Sequence, residues 1–255
     1  MNCKKVATIS IALNMAVLLV GGYFIYSSVN NDDKKVVESP EHKIESTEIS
    51  SSTSDNNSNE RERSPSYKVR TSIFNKATSV DTGVVFLGDS ITNFNEWGEA
   101  FPYVKTYNRG ISGDTTIGVM KRLNQVVALN PSKIFIMIGI NDLGAKTPKE
   151  EILKNYNTIL EKMKSELPDT KIFVESILPT KPLAKSKKLS NEDINWLNKE
   201  LERVAKENGS TFINLHSLFI DKDGELKGEW TVDGVHITGE GYKTWENEIK
   251  KYIYR

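Results

Sequence analysis

Four short stretches carry residue types that can do chemistry. They are Gly88-Asp89-Ser90, Asn108-Arg109-Gly110-Ile111-Ser112-Gly113-Asp114, Gly139-Ile140-Asn141-Asp142 and Asp233-Gly234-Val235-His236. Each is weak alone, because glycine after an apolar run usually just permits a turn. Together they supply a hydroxyl, an amide and an imidazole three residues after a carboxylate. Ester or amide hydrolysis by a serine needs that set. A hydroxyl is a poor nucleophile until a base takes its proton, and the oxyanion that follows needs donors fixed in advance. Plainer uses of the same residues stand beside this reading. Ser90 could cap a helix after a strand, Gly110 and Gly113 could be turn glycines, Asn141 could cap a loop, and Asp142 could bind local backbone. Asp89 reads as structural.

The elements that must position these residues follow from hydrophobic periodicity. Short apolar runs at 84–88, 104–107, 133–139, 171–177 and 211–215 alternate with amphipathic stretches. One such stretch places Ile152, Tyr156, Ile159, Leu160, Met163 and Leu167 on one face and starts with Thr147-Pro148-Lys149-Glu150, a capping box with proline at the first helical position. Another carries Ile194, Leu197, Leu201 and Val204 between Ser190 and Asn208-Gly209, and the last carries Tyr242, Trp245, Ile249 and Ile253. Strands alternating with helices predict an α/β domain with a parallel sheet covered on both faces, and ligands bind such sheets beyond the C-terminal strand ends. All of the chemistry-bearing loops except the last directly follow a predicted strand.

The rest of the chain divides sharply. Residues 1–5 read as a short cytoplasmic tail, and residues 6–26 (VATISIALNMAVLLVGGYFIY) carry no charge. As a helix they would span ~31 Å, about the hydrocarbon thickness of a bilayer. Lys4 and Lys5 precede them, as for a cytoplasmic N-terminus. An uncleaved signal-anchor is favoured over a secretory signal peptide, because no A-x-A-like cleavage site follows. Either reading puts the domain outside the cytoplasm. Residues 27–66 contain 11 serines and no aromatic residue, the composition of a flexible linker. The hydrolytic domain is predicted over 67–255.

Composition removes several classes. Lys+Arg and Asp+Glu are both 34, for a net charge of +0, which argues against a nucleic-acid partner. The single Cys3 excludes a disulfide framework, a cysteine zinc site and an iron–sulfur cluster. Asp89, Asp114, Asp142 and Asp233 raise a two-metal phosphoesterase as a rival, but such sites recruit several histidines and the domain has only His216 and His236. No phosphate-binding G-x-x-x-x-G-K-[ST] occurs. Neither a metal nor a cofactor is expected.

The order GDS, glycine loop, GxND, DxxH resembles that of the SGNH (GDSL-type) hydrolases, and the likeness runs from Val84 to Tyr242. NRGISGDTT, IGINDLG and DGVHITGEGY most resemble the platelet-activating-factor acetylhydrolase and lysophospholipase-like branch. The resemblance implies a flavodoxin-like three-layer sandwich with about five parallel strands and a shallow, open site. It makes Ser90 the nucleophile, His236 the general base and Asp233 the carboxylate that orients it. The oxyanion donors it implies are the N–H groups of Ser90 and Gly113 and the Asn141 side-chain amide. GDSI replaces GDSL, with Ile91 read as a packing residue, and the G-x-S-x-G elbow is absent because position 92 is Thr. The implied substrate is a short acyl ester, on a lysophospholipid or platelet-activating-factor-like lipid. O-acetyl groups on cell-wall or host polysaccharide are the alternative, and a non-catalytic surface-binding domain is the rival class. His216 reads as a packed histidine ending a strand. Trp97, Trp230 and Tyr103 are either pocket walls or packing residues, and the basic run Lys181 to Lys188 is a solvated loop.

Overall fold

The structure, a computed structural model, describes residues 64–77, 82–183 and 189–255. The expected tail, the expected span and the linker as far as residue 63 lie outside the described residues, as does most of the basic run. Among the described residues no helix is long and apolar enough to cross a membrane.

Helix α1 (Pro65–Lys76) begins within the stretch expected to be linker, with Ser64 as its cap: Ser64 Oγ accepts from Tyr67 N at 3.2 Å. Five strands follow: β1 (Val84–Gly88), β2 (Thr106–Gly110), β3 (Lys133–Met137), β4 (Lys171–Glu175) and β5 (Thr211–Ile213). They pair in parallel in the order β2-β1-β3-β4-β5, the flavodoxin-like winding predicted from sequence. Short α2 (Ser90–Asn93) and α3 (Trp97–Ala100) follow β1, and α4 (Thr116–Val127) follows β2. Helices α5 (Ile140–Gly144) and α6 (Lys149–Glu166) follow β3, and α7 (Asn191–Glu207) follows β4. After β5 come α8 (His216–Phe219) and α9 (Gly239–Ile253).

Strand alternation sorts the core into two chemistries. Phe86, Phe135 and Phe173 are register partners on β1, β3 and β4. Their rings stack across the sheet with centroids 5.4 and 4.5 Å apart. Trp97 stacks on Phe86 at 3.7 Å, Trp245 meets Trp97 edge-on at 5.1 Å, and Tyr252 stands 5.1 Å from Phe173. Helix α9 therefore covers an aromatic face. The alternate residues Val85, Leu87, Ile134, Ile136 and Val174 are fully buried on the other face, which α4, α6 and α7 cover. Tyr156 of α6 locks that side, its hydroxyl donating to Ile138 O at 2.9 Å and accepting from Ile138 N at 3.1 Å.

Two local predictions are corrected. The strand expected at 104–107 lies at 106–110, because Val104 N closes a turn onto Phe101 O and pairing with β1 begins at Thr106. Its polar residues Asn108 and Arg109 hid it from an apolar search. Arg109 is buried against the Phe74 ring, with its Cζ 4.4 Å from the centroid. The capping box at 147–150 does not form. Pro148 is itself the N-cap, its carbonyl taking the first helical bonds from Glu151 and Ile152, and no side-chain cap bond is made.

Strand order reverses between β1 and β3, and the crevice beyond that switch point is where folds of this winding bind ligands. Ser90 follows β1 and Asn141 follows β3, so the topology brings two of the sequence-selected residues to the crevice.

One buried acid sets a pH dependence. Glu175, at the end of β4, accepts from Trp245 Nε1 at 2.6 Å, and burial pushes its carboxyl up to about 8 despite that bond. Between the unfolded value and about 8 the folded state holds a proton the unfolded state has lost. The stabilisation is therefore complete below the unfolded value and is lost as pH rises through about 8. The urea midpoint is expected to fall between pH 6 and 9. Glu175→Gln, which keeps an acceptor for Trp245, is expected to flatten that fall at constant ionic strength.

Candidate active site

Ser90 is the first residue of α2, a helix too short to be stable by itself. The cap is Asp89, whose Oδ1 accepts from Ile91 N at 3.0 Å, so Asp89 is structural as expected and Ser90 is not the capping residue. The carbonyls of the helix are each taken by a different partner. Phe94 N donates to Ser90 O (3.0 Å), Tyr242 Oη to Ile91 O (2.7 Å), Trp97 Nε1 to Thr92 O (3.0 Å) and Asn108 Nδ2 to Asn93 O (3.0 Å). Gly110 is more than a turn glycine. A Cβ there would lie 2.3 Å from Asn93 N, so only glycine lets the end of β2 approach the helix this closely.

His236 and Asp233 arrive on one tight loop. Asp233 Oδ1 accepts from the N–H groups of Val235 and His236 at 2.9 and 2.8 Å, and Thr231 Oγ1 donates to His236 O at 2.7 Å. Lys181 N ties the loop to the segment after β4 by donating to Gly234 O at 2.8 Å. Asp233 Oδ2 stands 2.6 Å from His236 Nδ1, and Ser90 Oγ stands 2.9 Å from His236 Nε2. The carboxylate assigns the ring proton to Nδ1, which leaves Nε2 to accept from the hydroxyl. Partial burial pushes the Asp233 carboxyl up, but the bonds from His236 and Val235 outweigh it and hold the carboxyl below its ordinary range. The side chains of His236 and Asp233 are 27% and 48% exposed, so the site is open to solvent.

The remaining two loops are clamped together. Asn141 Nδ2 donates to Asp114 O at 2.9 Å, which fixes the amide beside the glycine loop. Exposed Gly113 sits at the tip of that loop with φ +77°, a conformation that favours glycine. Among the described residues, nothing accepts a hydrogen bond from the N–H of Ser90 or of Gly113. Asp142 reaches beyond its own loop, taking Thr116 N (3.1 Å to Oδ2) and Thr116 Oγ1 (2.6 Å to Oδ1) at the start of α4. Burial pushes its carboxyl up to about 6. Arg122 of α4 donates from Nε to Asp114 Oδ2 at 2.8 Å and from Nη2 to Gly88 O at 3.1 Å.

The sequence and the fold have counterparts among known proteins. The GDSL-like Lipase/Acylhydrolase family matches residues 86–244. The chain belongs to this family. The platelet-activating factor acetylhydrolase IB subunit alpha2 of Rattus norvegicus is 28% identical over 166 residues, covering 62% of this chain and 70% of the relative. A solved structure from Streptococcus pneumoniae, described as a platelet activating factor, superposes with a TM-score of 0.69 at 29% identity, covering 74% of this chain and 93% of the other. A GDSL-like lipase from Bacteroides thetaiotaomicron gives 0.65 at 29% identity, over 73% and 96% of the two chains. The expected family resemblance and the expected hydrolytic class both stand.

Other residues of this acylhydrolase sort away from the site. His216 starts α8 rather than ending a strand, because β5 stops at Ile213. It is half-buried, its N–H donates to Ser176 Oγ at 2.7 Å, and burial lowers its imidazole pKa. Trp97 belongs to the aromatic core, Trp230 packs edge-on against Phe219, and Tyr103 is 89% exposed. A cleft of about 510 Å³ opens at the opposite pole of the sheet. Two of its four cations, Lys164 and Lys251, lie near the C-terminal ends of helices, where cations offset the helix dipole. Among the described residues no three His, Cys, Asp or Glu side chains are placed to hold a metal ion. Arg122 and Phe94 were not singled out from sequence, and Asn108 was named only as the first residue of its glycine loop. Tyr242 was legible only as an apolar helix position, and nothing marked its hydroxyl as an anchor for α2.

Arg122 is the residue whose removal tests the clamp. Arg122→Met strips the guanidinium from a buried carboxylate and from the end of β1. It is expected to lower unfolding free energy by about 3–5 kcal/mol in urea titrations.

Proposed function

We propose that this acylhydrolase is a serine esterase that cleaves short acyl esters through an acyl-enzyme. The observation that carries the reading is the chain of contacts from Ser90 Oγ to His236 Nε2 (2.9 Å) and from His236 Nδ1 to Asp233 Oδ2 (2.6 Å). Ser90 Oγ attacks the ester carbonyl carbon as its proton passes to His236 Nε2. Asp233 stabilises the imidazolium, and the oxyanion is received by the N–H groups of Ser90 and Gly113 and by Asn141 Nδ2. Collapse breaks the carbon–oxygen bond, and His236 returns the proton to the departing alcohol. Water, deprotonated by the same imidazole, then attacks the acyl carbon; collapse breaks its bond to Ser90 Oγ, the imidazolium returns the proton to Oγ, and the carboxylic acid is released. No step calls on a metal or cofactor.

The relatives named platelet-activating factor acetylhydrolase support an acetyl or similarly short acyl group, with a lysophospholipid-like ester as the first substrate to try. We also propose that residues 6–26 hold the domain at the outer face of the cytoplasmic membrane. The full chain is expected in the membrane fraction, and a chain beginning at residue 27 in the soluble one. Recovery of the intact full chain in the soluble fraction would count against the anchor.

The catalytic assignment is tested by labelling and by the two histidines of the domain. A fluorophosphonate is expected to add once, on the peptide containing Ser90, and not to Ser90→Ala. His236→Ala is expected to lose at least ~10³ in kcat. His216→Ala should keep most activity and lose stability, because His216 is packed away from the site. The reverse ranking would overturn the triad.

A further inference from the structure

Phe94 closes the helix that Ser90 opens, its N–H donating to Ser90 O at 3.0 Å. Residues four apart on a helical turn share a face, so the ring lies on the Ser90 side. Four residues close to it in sequence, Ile91, Thr92, Asn95 and Trp97, are buried. Phe94 instead stays 54% exposed, with its ring centroid 5.1 Å from that of His236 and the planes at 42°. An aromatic ring is thus held in solvent against the imidazole.

The mechanism says which part of a substrate meets that ring. His236 delivers a proton to the departing alcohol oxygen, so the alcohol portion must lie against the imidazole as the bond breaks. The Gly113 and Asn141 donors sit on the loops after β2 and β3, which draws the carbonyl oxygen to that side. We propose that Phe94 is a specificity-determining residue: it packs on the alcohol portion of the ester, selects alcohols that present an apolar C–H surface, and is indifferent to the acyl chain. This inference rests on the catalytic reading above. A pyranose ring and a lipid alkyl chain both offer such a surface to an aromatic face.

The experiment compares kcat/KM of the full-length protein with Phe94→Ala and Phe94→Leu on four esters. Ethyl acetate is the small reference, ethyl hexanoate lengthens the acyl side, and a peracetylated methyl glucoside and decyl acetate enlarge the alcohol side. Phe94→Ala is expected to stay within about twofold of wild type on both ethyl esters. It should fall by about fivefold or more on the glucoside ester, on decyl acetate, or on both. The arm that falls names the sugar or the alkyl chain as the preferred surface, and Phe94→Leu should restore part of the loss on decyl acetate only. An equal loss on ethyl acetate would make the ring a support for His236. A loss that follows acyl length, or no loss on any ester, would equally overturn the inference. Wild-type turnover no greater than that of Ser90→Ala on all four esters would remove the catalytic reading itself, a different result from an active enzyme indifferent to Phe94.

Discussion

A helix of four residues makes too few internal hydrogen bonds to offset its own ordering, and the proposed nucleophile, Ser90, stands at the start of one. The surrounding structure supplies what α2 lacks. Its carbonyls are met from α3, from β2 and from α9, and the tight approach of Gly110 brings β2 against it. Each of these elements is itself seated by the sheet, α3 and α9 through the Phe86, Trp97 and Trp245 stack and β2 through pairing with β1. The position of one hydroxyl therefore depends on the whole arrangement of layers.

The carboxylates around the crevice illustrate how environment separates their roles. Asp233 is half-exposed and collects three donors, so it stays ionised over the ordinary pH range and can keep its imidazole partner oriented. Asp114 and Asp142 are buried, where a charge is expensive unless fully paired. Both meet groups of α4: Arg122, halfway along it, for Asp114, and the N–H and hydroxyl of Thr116 at its start for Asp142. Buried polar pairs of this kind hold the glycine loop and the Asn141 loop in one register, which looser apolar packing would allow to slip. That fixed register is what donors to a developing oxyanion require.

Much of this was legible from the residues. The apolar runs of β1, β3 and β4 and the amphipathic faces of α6, α7 and α9 are strong because burial on one side dictates their period. The four chemistry-bearing loops were legible because together they supply a hydroxyl, an amide and an imidazole beside a carboxylate, in an order that resembles that of the SGNH hydrolases. Strand β2 was misplaced because an edge strand shielded by α1 tolerates Asn108 and Arg109, and polarity hides a strand from an apolar search. The four short helices escaped because tertiary bonds form them and no local pattern announces them. Residues 147–150 looked like a capping box, but the helix starts one residue later with Pro148 as its N-cap, which puts Thr147 and Glu150 out of capping register. Phe94 and Tyr242 show a further limit. Their types suggest packing, and only the fold reveals that one faces the imidazole and the other holds a carbonyl of α2.

The Ser90–His236 contact joins residues 146 apart in sequence, and the Tyr242–Ile91 bond spans 151. The first and last elements of the parallel fold complete one another. During synthesis β1 and α2 emerge first, yet neither His236, the proposed base, nor Tyr242, the anchor of α2, exists until the chain reaches the start of α9. The domain thus has a built-in order of ripening. A growing chain carries an unpartnered serine while the next 146 residues are added, and the proposed base reaches it only after that.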